Sequence, residues 1–208
     1  MPETSRFLVF LGAALILALT PGPGIFYVLA RSLAGGRREG LLSVAGTFIG
    51  GLVHVVAAAL GLSAVLVASA VAFNAVRYAG AAYLVWLGVS MIRNRDREAT
   101  AVQAGPRRRN PLTQGIVTEV LNPKTALFFL SFIPQFVSVH GGHVVAQFLL
   151  LGTISVCLNS TADVIVACFA GPLGARLAHR RAIRRRQRVA SGAAMIGLGV
   201  WVAAADAR

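Results

Sequence analysis

Charge is what this sequence has least of. Only 13% of its 208 residues are charged and seven are acidic, about half the charge usual in a soluble domain. A chain so poor in charge cannot face water over most of its surface. The soluble-enzyme classes are excluded, and an integral membrane protein is expected. Cysteine is scarce as well: Cys157 and Cys168 lie eleven residues apart in one apolar run. On one helix their α-carbons would stand about 16 Å apart, beyond disulfide reach. No HExxH zinc motif, GxSxG nucleophile elbow or phosphate-binding loop occurs, so no enzyme activity and no cofactor are expected. Lysine is almost missing, since nineteen of the twenty basic residues are arginine and Lys124 is the exception. The net charge of +13 raises nucleic acid as a partner. The arginines, however, cluster between apolar runs, as a bilayer requires. No aromatic or glycine pattern of an RNA-binding module accompanies them, so no nucleic-acid partner is expected.

What is abundant is apolar sequence: 56% of residues are hydrophobic and the mean hydropathy is +0.72. The runs between charge clusters predict an all-α membrane protein of six spans, each needing about 20 residues. They are Phe7 to Ala30, Leu41 to about Ser69, Val71 to Ile92, Leu112 to about Val137, Val144 to Ala170, and a short Val189 to Ala205. Arg77 lies near the start of the third, where its side chain can snorkel. Turns are expected at Ser69–Phe73 and Ser138–His143, and no extramembrane domain fits in the remainder. Glycines four apart, such as Gly46 and Gly50, suit close helix packing in lipid and make a homodimer plausible. Arg6 and the apolar stretch to Thr20 resemble a secretory leader, but cleavage would leave five spans and nothing soluble to secrete.

Arginine asymmetry sets the orientation. Sixteen fall in the first, third and fifth loops: Arg31, Arg37 and Arg38; Arg93 to Arg109; Arg176 to Arg188. Arg6, Arg77 and Arg208 fall on the other side, so both termini are expected outside the cytoplasm. The basic run from Arg176 to Arg188 suits anionic lipid headgroups.

Two spans carry an interruption in corresponding places. The first contains Thr20-Pro21-Gly22-Pro23 and the fourth Leu121-Asn122-Pro123-Lys124, each followed by an aromatic-rich apolar segment. The chain therefore reads as two three-helix repeats, 1–93 and 112–208, joined by a basic cytoplasmic loop, 94–111. An odd number of crossings inverts the second repeat against the first. Broken helices in corresponding positions of inverted repeats point to a transporter binding site. Pro21 and Pro23 lack an N–H, which orphans the carbonyls of Leu17 and Leu19. Asn122 is a good N-cap and Pro123 a good first helical residue, so a half-helix should start there with its positive end at membrane depth. Lys124 adds a full charge to that end, and an anion or a neighbouring carboxylate is expected to compensate it. The bland alternative is a pair of proline kinks kept for packing.

These residues carry a resemblance. TPGPGIFYVLARSLAGGRREG (Thr20 to Gly40) and NPKTALFFLSFIPQF (Asn122 to Phe136) are similar to the two signature regions of the lysine exporter family, LysE type, including its homoserine/threonine exporter branch. The resemblance implies an inner-membrane exporter of amino acids or related small metabolites, driven by the proton-motive force. Pro21, Gly22, Pro23, Asn122, Pro123 and Lys124 match the family's pattern directly, and Asp163 matches its acidic residue in the fifth span. Gly24 departs from it: Asn or Asp often stands there, so a side-chain ligand at the first break is missing.

Asp163 is the strongest single candidate, an intramembrane carboxylate far from either end of its span. It could hold a substrate ammonium, carry a coupling proton, or serve as a static partner of Lys124 or Arg77. Glu119 could pair with Lys124 or contact substrate. His54, midway along the second span, could relay protons or be a hydrogen-bonded structural histidine. Asn159, Thr161 and Gln135 line the cavity or bond across helices; Tyr27, Tyr78, Tyr83 and Trp86 read as packing or interfacial residues. The expected substrate site comprises Thr20, Pro21, Gly22, Pro23, Glu119, Asn122, Pro123, Lys124 and Asp163, with Asp163 and His54 as proton-coupling candidates. An ion or heavy-metal exporter on the same scaffold is the competing reading, with few soft ligands to support it.

Overall fold

The structure is a computed structural model that describes residues 4–62, 70–93, 110–138, 142–169 and 181–204. Seven α-helices occur among these residues, and no strand. In chain order they are α1 (Thr4–Leu19), α2 (Pro23–Ala57), α3 (Ala70–Arg93), α4 (Pro111–Val120), α5 (Pro123–Ser131), α6 (Val144–Phe169) and α7 (Arg181–Ala204). A π-helical turn, Ala58–Leu62, prolongs α2, and a 3-10 turn, Ile133–Phe136, follows α5. By length and composition, Pro23–Gly61 and Val144–Phe169 can each cross a membrane. The pair Pro111–Val120 and Pro123–Phe136, bent by 47°, adds a third if taken as one span.

Helix ends follow local chemistry. α1 stops before Pro21, whose missing N–H ends the ladder. α2 starts at Pro23 with Gly22 extended at its N-cap. α4 and α5 repeat this arrangement: Asn122 is extended, its side chain accepts the Lys124 N–H at 3.1 Å, and Pro123 opens the new helix. Within α2, Gly36 takes φ +75°, ψ −173°, a backbone open to glycine and costly for other residues. The chain folds back there. Arg31 reaches Glu39 at 3.4 Å, and a Cβ on Gly40 would run into the Ser32 hydroxyl. In an uninterrupted helix those pairs, eight residues apart, would be separated by about 12 Å.

Three details differ from the sequence reading. The chain is already helical from Ala70, so the expected turn at Ser69–Phe73 does not occupy Ala70 to Phe73, and Ser69 lies outside the described residues. α7 begins at Arg181 and carries part of the basic run into the helix, because arginine is a good helix former. Arg31, counted above among the loop charges, is 1% exposed. The basic segments 94–109 and 170–180 and the Arg77 side chain lie outside the described residues.

Helices distant in the chain pack on each other through small residues. The second arm of α2 lies on α6, where Gly51 faces Val156 and Gly152 faces Val55 and Phe129. α3 lies on α7 with Gly88 and Gly192 face to face, and a Cβ on Gly199 would stand 2.7 Å from the Ala81 carbonyl. Gly46 and Gly115 bring α2 onto α4 backbone to backbone: a Cβ on Gly115 would lie 2.7 Å from the Ser43 carbonyl and 3.0 Å from Gly46 Cα. In lipid such packing, with hydrogen bonds, drives helix association. Gly115→Val is therefore expected to cost about 1–3 kcal/mol by overpacking. A lower thermal midpoint of the detergent-purified protein would show it. An aromatic core, Phe10, Phe128, Phe132 and Phe136 with Phe148, ties α1, α5, the 3-10 turn and α6 together.

Candidate functional site

The two breaks meet in the protein interior, and each is repaired by a side chain from elsewhere. At the first, Pro21 leaves the Leu17 carbonyl without its helical donor. The Lys124 ammonium supplies one, donating to Leu17 O at 2.9 Å and to Thr20 O at 2.7 Å. A lysine placed on the last carbonyls of a helix also meets the negative end of its dipole. Thr20 closes the same end by donating its hydroxyl to Ile16 O at 2.6 Å. At the second break, Pro123 orphans the Glu119 carbonyl. The Asn122 N–H reaches it at 3.0 Å and His54 Nε2 at 2.9 Å. Because that acceptor is a carbonyl, His54 Nε2 carries the proton, and the ring is stacked on Phe129. His54 is thus placed in a structural bond.

Glu119 spans the two breaks. It is 2% exposed, and its carboxylate accepts from Thr125 Oγ1 at 2.6 Å and from Asn122 Nδ2 at 3.1 Å. Its far oxygen lies over Gly24, where a Cβ would come within 2.6 Å of it. Gly22 is covered in the same way by Lys124, whose Nζ would lie 3.3 Å from a Cβ there. The second break therefore projects one charge of each sign into the first. The missing side chain at position 24 has a physical counterpart, since the Glu119 carboxylate fills that space.

Asp163, 1% exposed on α6, accepts from Thr47 Oγ1 at 3.1 Å. Thr47 lies one turn before Gly50, and a Cβ on Gly50 would meet Glu119 Cβ at 2.7 Å. Asp163 and the Cβ of Glu119 thus lie against the same turn of α2, and both carboxylates act electrostatically on Lys124. Among the described residues neither forms an ion pair with Lys124; the pair present is Arg31–Glu39. The hydrogen bonds of the lysine go to backbone carbonyls, and the two carboxylates act on its charge from beyond ion-pair distance. Among the described residues no group of three or more His, Cys, Asp and Glu is arranged to hold a metal.

The LysE type translocator family matches residues 15–205. The chain belongs to this family. It is 35% identical to an uncharacterized membrane protein of Pseudomonas aeruginosa, over 96% of this chain and 95% of that one. It is 32% identical to a leucine efflux protein of Klebsiella pneumoniae (79% of this chain, 75% of the relative), and 34% to one of Enterobacter sp. strain 638 (71% of each). No solved structure matches.

In this LysE type translocator, the sequence-predicted residues Thr20, Pro21, Gly22, Glu119, Asn122, Lys124 and Asp163 are all buried, while Pro23 and Pro123 are exposed on the helix starts. His54 joins them through Glu119. Thr161 is exposed and bonds back to Cys157 O, and Gln135 bonds to Ser131 O. Sequence reasoning missed Thr47 and Thr125 as working parts, because nothing local distinguishes a threonine that holds a carboxylate from one that only packs. It also missed Arg31, which donates to Gln114 and lies 5.8 Å above the Tyr27 ring. Tyr27 in turn donates to the Pro111 carbonyl at 2.6 Å. That group joins α2 to α4 about 10 Å along the first arm of α2 from Gly24.

Proposed function

We propose that this translocator exports amino acids across the inner membrane, driven by the proton-motive force, with an apolar amino acid such as leucine as cargo. The observation that carries this reading is the convergence of two broken helices on buried Lys124, Glu119 and Asp163. Charged groups are costly in a bilayer interior and mark transport pathways, and broken helices of paired repeats build such sites. The leucine efflux proteins among its relatives support the choice of cargo. Repeats 1–93 and 112–208, inverted and contributing three spans each, account for the pairing of α2 with α6 and of α3 with α7. The three arginine clusters, fifteen residues after Arg31 is set aside, still favour a cytoplasmic face for the 94–111 loop and both termini outside. That face would lie on anionic headgroups, and glycine-rich helix faces suit a homodimer.

In this mechanism the substrate ammonium meets Asp163 and Glu119, and a proton on Asp163 sets which side opens. Thr20, Pro21, Gly22, Pro23, Asn122, Pro123 and Lys124 shape the break region, and His54 supports it through the Glu119 carbonyl. The test is efflux from cells or proteoliposomes loaded with a mixed amino-acid pool. Selective loss of one apolar amino acid through the intact protein, abolished by Asp163→Asn, is expected. Full coupled export by Asp163→Asn would remove Asp163 from the coupling role. No amino-acid efflux, with the protein inserted and folded, would remove the export reading.

A further inference from the structure

The site treats the two ends of a zwitterion unequally. An anion arriving at the start of α5 meets a helix end already engaged. The Lys124 N–H donates to Asn122, and two of the three protons on its ammonium go to the Leu17 and Thr20 carbonyls. The Thr125 hydroxyl and the Asn122 amide both donate to Glu119. The carboxylate that this helix start attracts is therefore the protein's own, seated over Gly24.

The charge balance points the same way. Among the described residues the centre holds two carboxylates, Glu119 and Asp163, against one ammonium. Asp163 Oδ2 is bonded to Thr47, and Oδ1 takes no hydrogen bond from the described residues. A buried excess of one negative charge is unfavourable unless a proton or another cation offsets it, and a substrate ammonium supplies such a cation whenever Asp163 is ionised. Asp163 is bonded to this part of α2 at Thr47, Glu119 Cβ lies against it at Gly50, and the two carboxylates act electrostatically on each other and on Lys124, so a small cation lodged between them would be attracted by both.

Resting on the export reading above, we propose that the cargo is recognised by its ammonium group, held by Glu119 and Asp163, and that its carboxylate is not required. The substrate class is then primary ammonium compounds with an apolar side chain, of which apolar amino acids are members. Glu119 is the specificity-determining residue: it occupies the anion position at the α5 start and thereby turns the site toward cations.

The experiment is exchange of labelled leucine in proteoliposomes of the full chain at equal pH on both sides. Two competitors share the carbon skeleton of leucine: leucinamide keeps the ammonium and lacks the carboxylate, and 4-methylpentanoate keeps the carboxylate and lacks the ammonium. Leucinamide is expected to compete within about tenfold of unlabelled leucine, a difference of at most ~1.4 kcal/mol, and 4-methylpentanoate not to compete. The isosteric Glu119→Gln is expected to raise the half-saturating leucine concentration about tenfold or more, and Glu119→Asp to recover part of that loss. Competition by 4-methylpentanoate but not by leucinamide would overturn the inference and leave the export reading standing, as would unchanged leucine saturation in Glu119→Gln. No exchange of leucine or any other apolar amino acid by the folded protein would remove both.

Discussion

Lys124→Met is expected to lose both export and several kilocalories of stability. The lysine is the donor that replaces the helical N–H missing at Pro21, and its ammonium bonds Leu17 O and Thr20 O. Leu17 O would keep only the Thr20 N–H at 3.1 Å, whereas Thr20 O would lose its donor, and a buried carbonyl left without one costs about 1–3 kcal/mol. Removing the counter-charge of two buried carboxylates adds a penalty of the kind that makes breaking a buried ion pair cost about 3–5 kcal/mol. A loss of about 3 kcal/mol or more follows, read as a lower thermal midpoint in detergent together with export below detection. Lys124→Arg is not expected to rescue either. The lysine stem runs directly over Gly22, where a Cβ would lie 3.2 Å from Cδ and 3.3 Å from Cε, and a planar guanidinium fork does not fit a slot made for a point charge. Normal stability with only a raised half-saturating leucine concentration would mean that Lys124 reads cargo instead of holding the break.

How far the sequence could be read is set by the kind of partner each residue has. Asn122 and Pro123 were legible because a cap and a first helical residue act on the atoms next to them, and α5 starts at the expected residue. The ends of α3 and α6 fall within a residue of the apolar runs that predicted them, since charge and turn residues bound those runs directly. Lys124 was legible as a problem but not as a solution. Its acceptors are carbonyls 104 and 107 residues earlier, and a backbone carbonyl leaves no mark in a sequence. The fold-back at Gly36 shows the same limit. A loop was expected between Ala30 and Leu41, but burial of Arg31 depends on Gln114 and Tyr27 arriving from outside that loop and from the turn before it. Asp163 stood out by its apolar surroundings, whereas Thr47, its hydrogen-bond donor, did not.

Gly24→Ala should destabilise the protein and lower export, against the ordinary preference of helices. Position 24 lies in the first turn of α2, and replacing glycine by alanine in a helix is usually worth about 0.5–1 kcal/mol in favour of alanine. Here the added methyl would stand 2.6 Å from Glu119 Oε2. That carboxylate cannot swing aside freely, because its two oxygens are held by Thr125 and Asn122. Displacing it breaks one or both bonds and overpacks the break, for a net cost of about 1–3 kcal/mol. Moving the carboxylate also takes away a cargo contact, so export should fall at least about tenfold, corresponding to ~1.4 kcal/mol. A double-mutant cycle isolates the cause. In a Glu119→Ala background the space above Gly24 is open, and Gly24→Ala should then be neutral or slightly stabilising. The coupling energy between the two positions should reach about 1 kcal/mol or more, where residues out of contact add within about 0.3–0.5 kcal/mol. Additive effects would mean that Gly24 serves backbone geometry alone. Strong coupling would mean that the first break takes its polar side chain from the second, the two broken helices sharing one carboxylate.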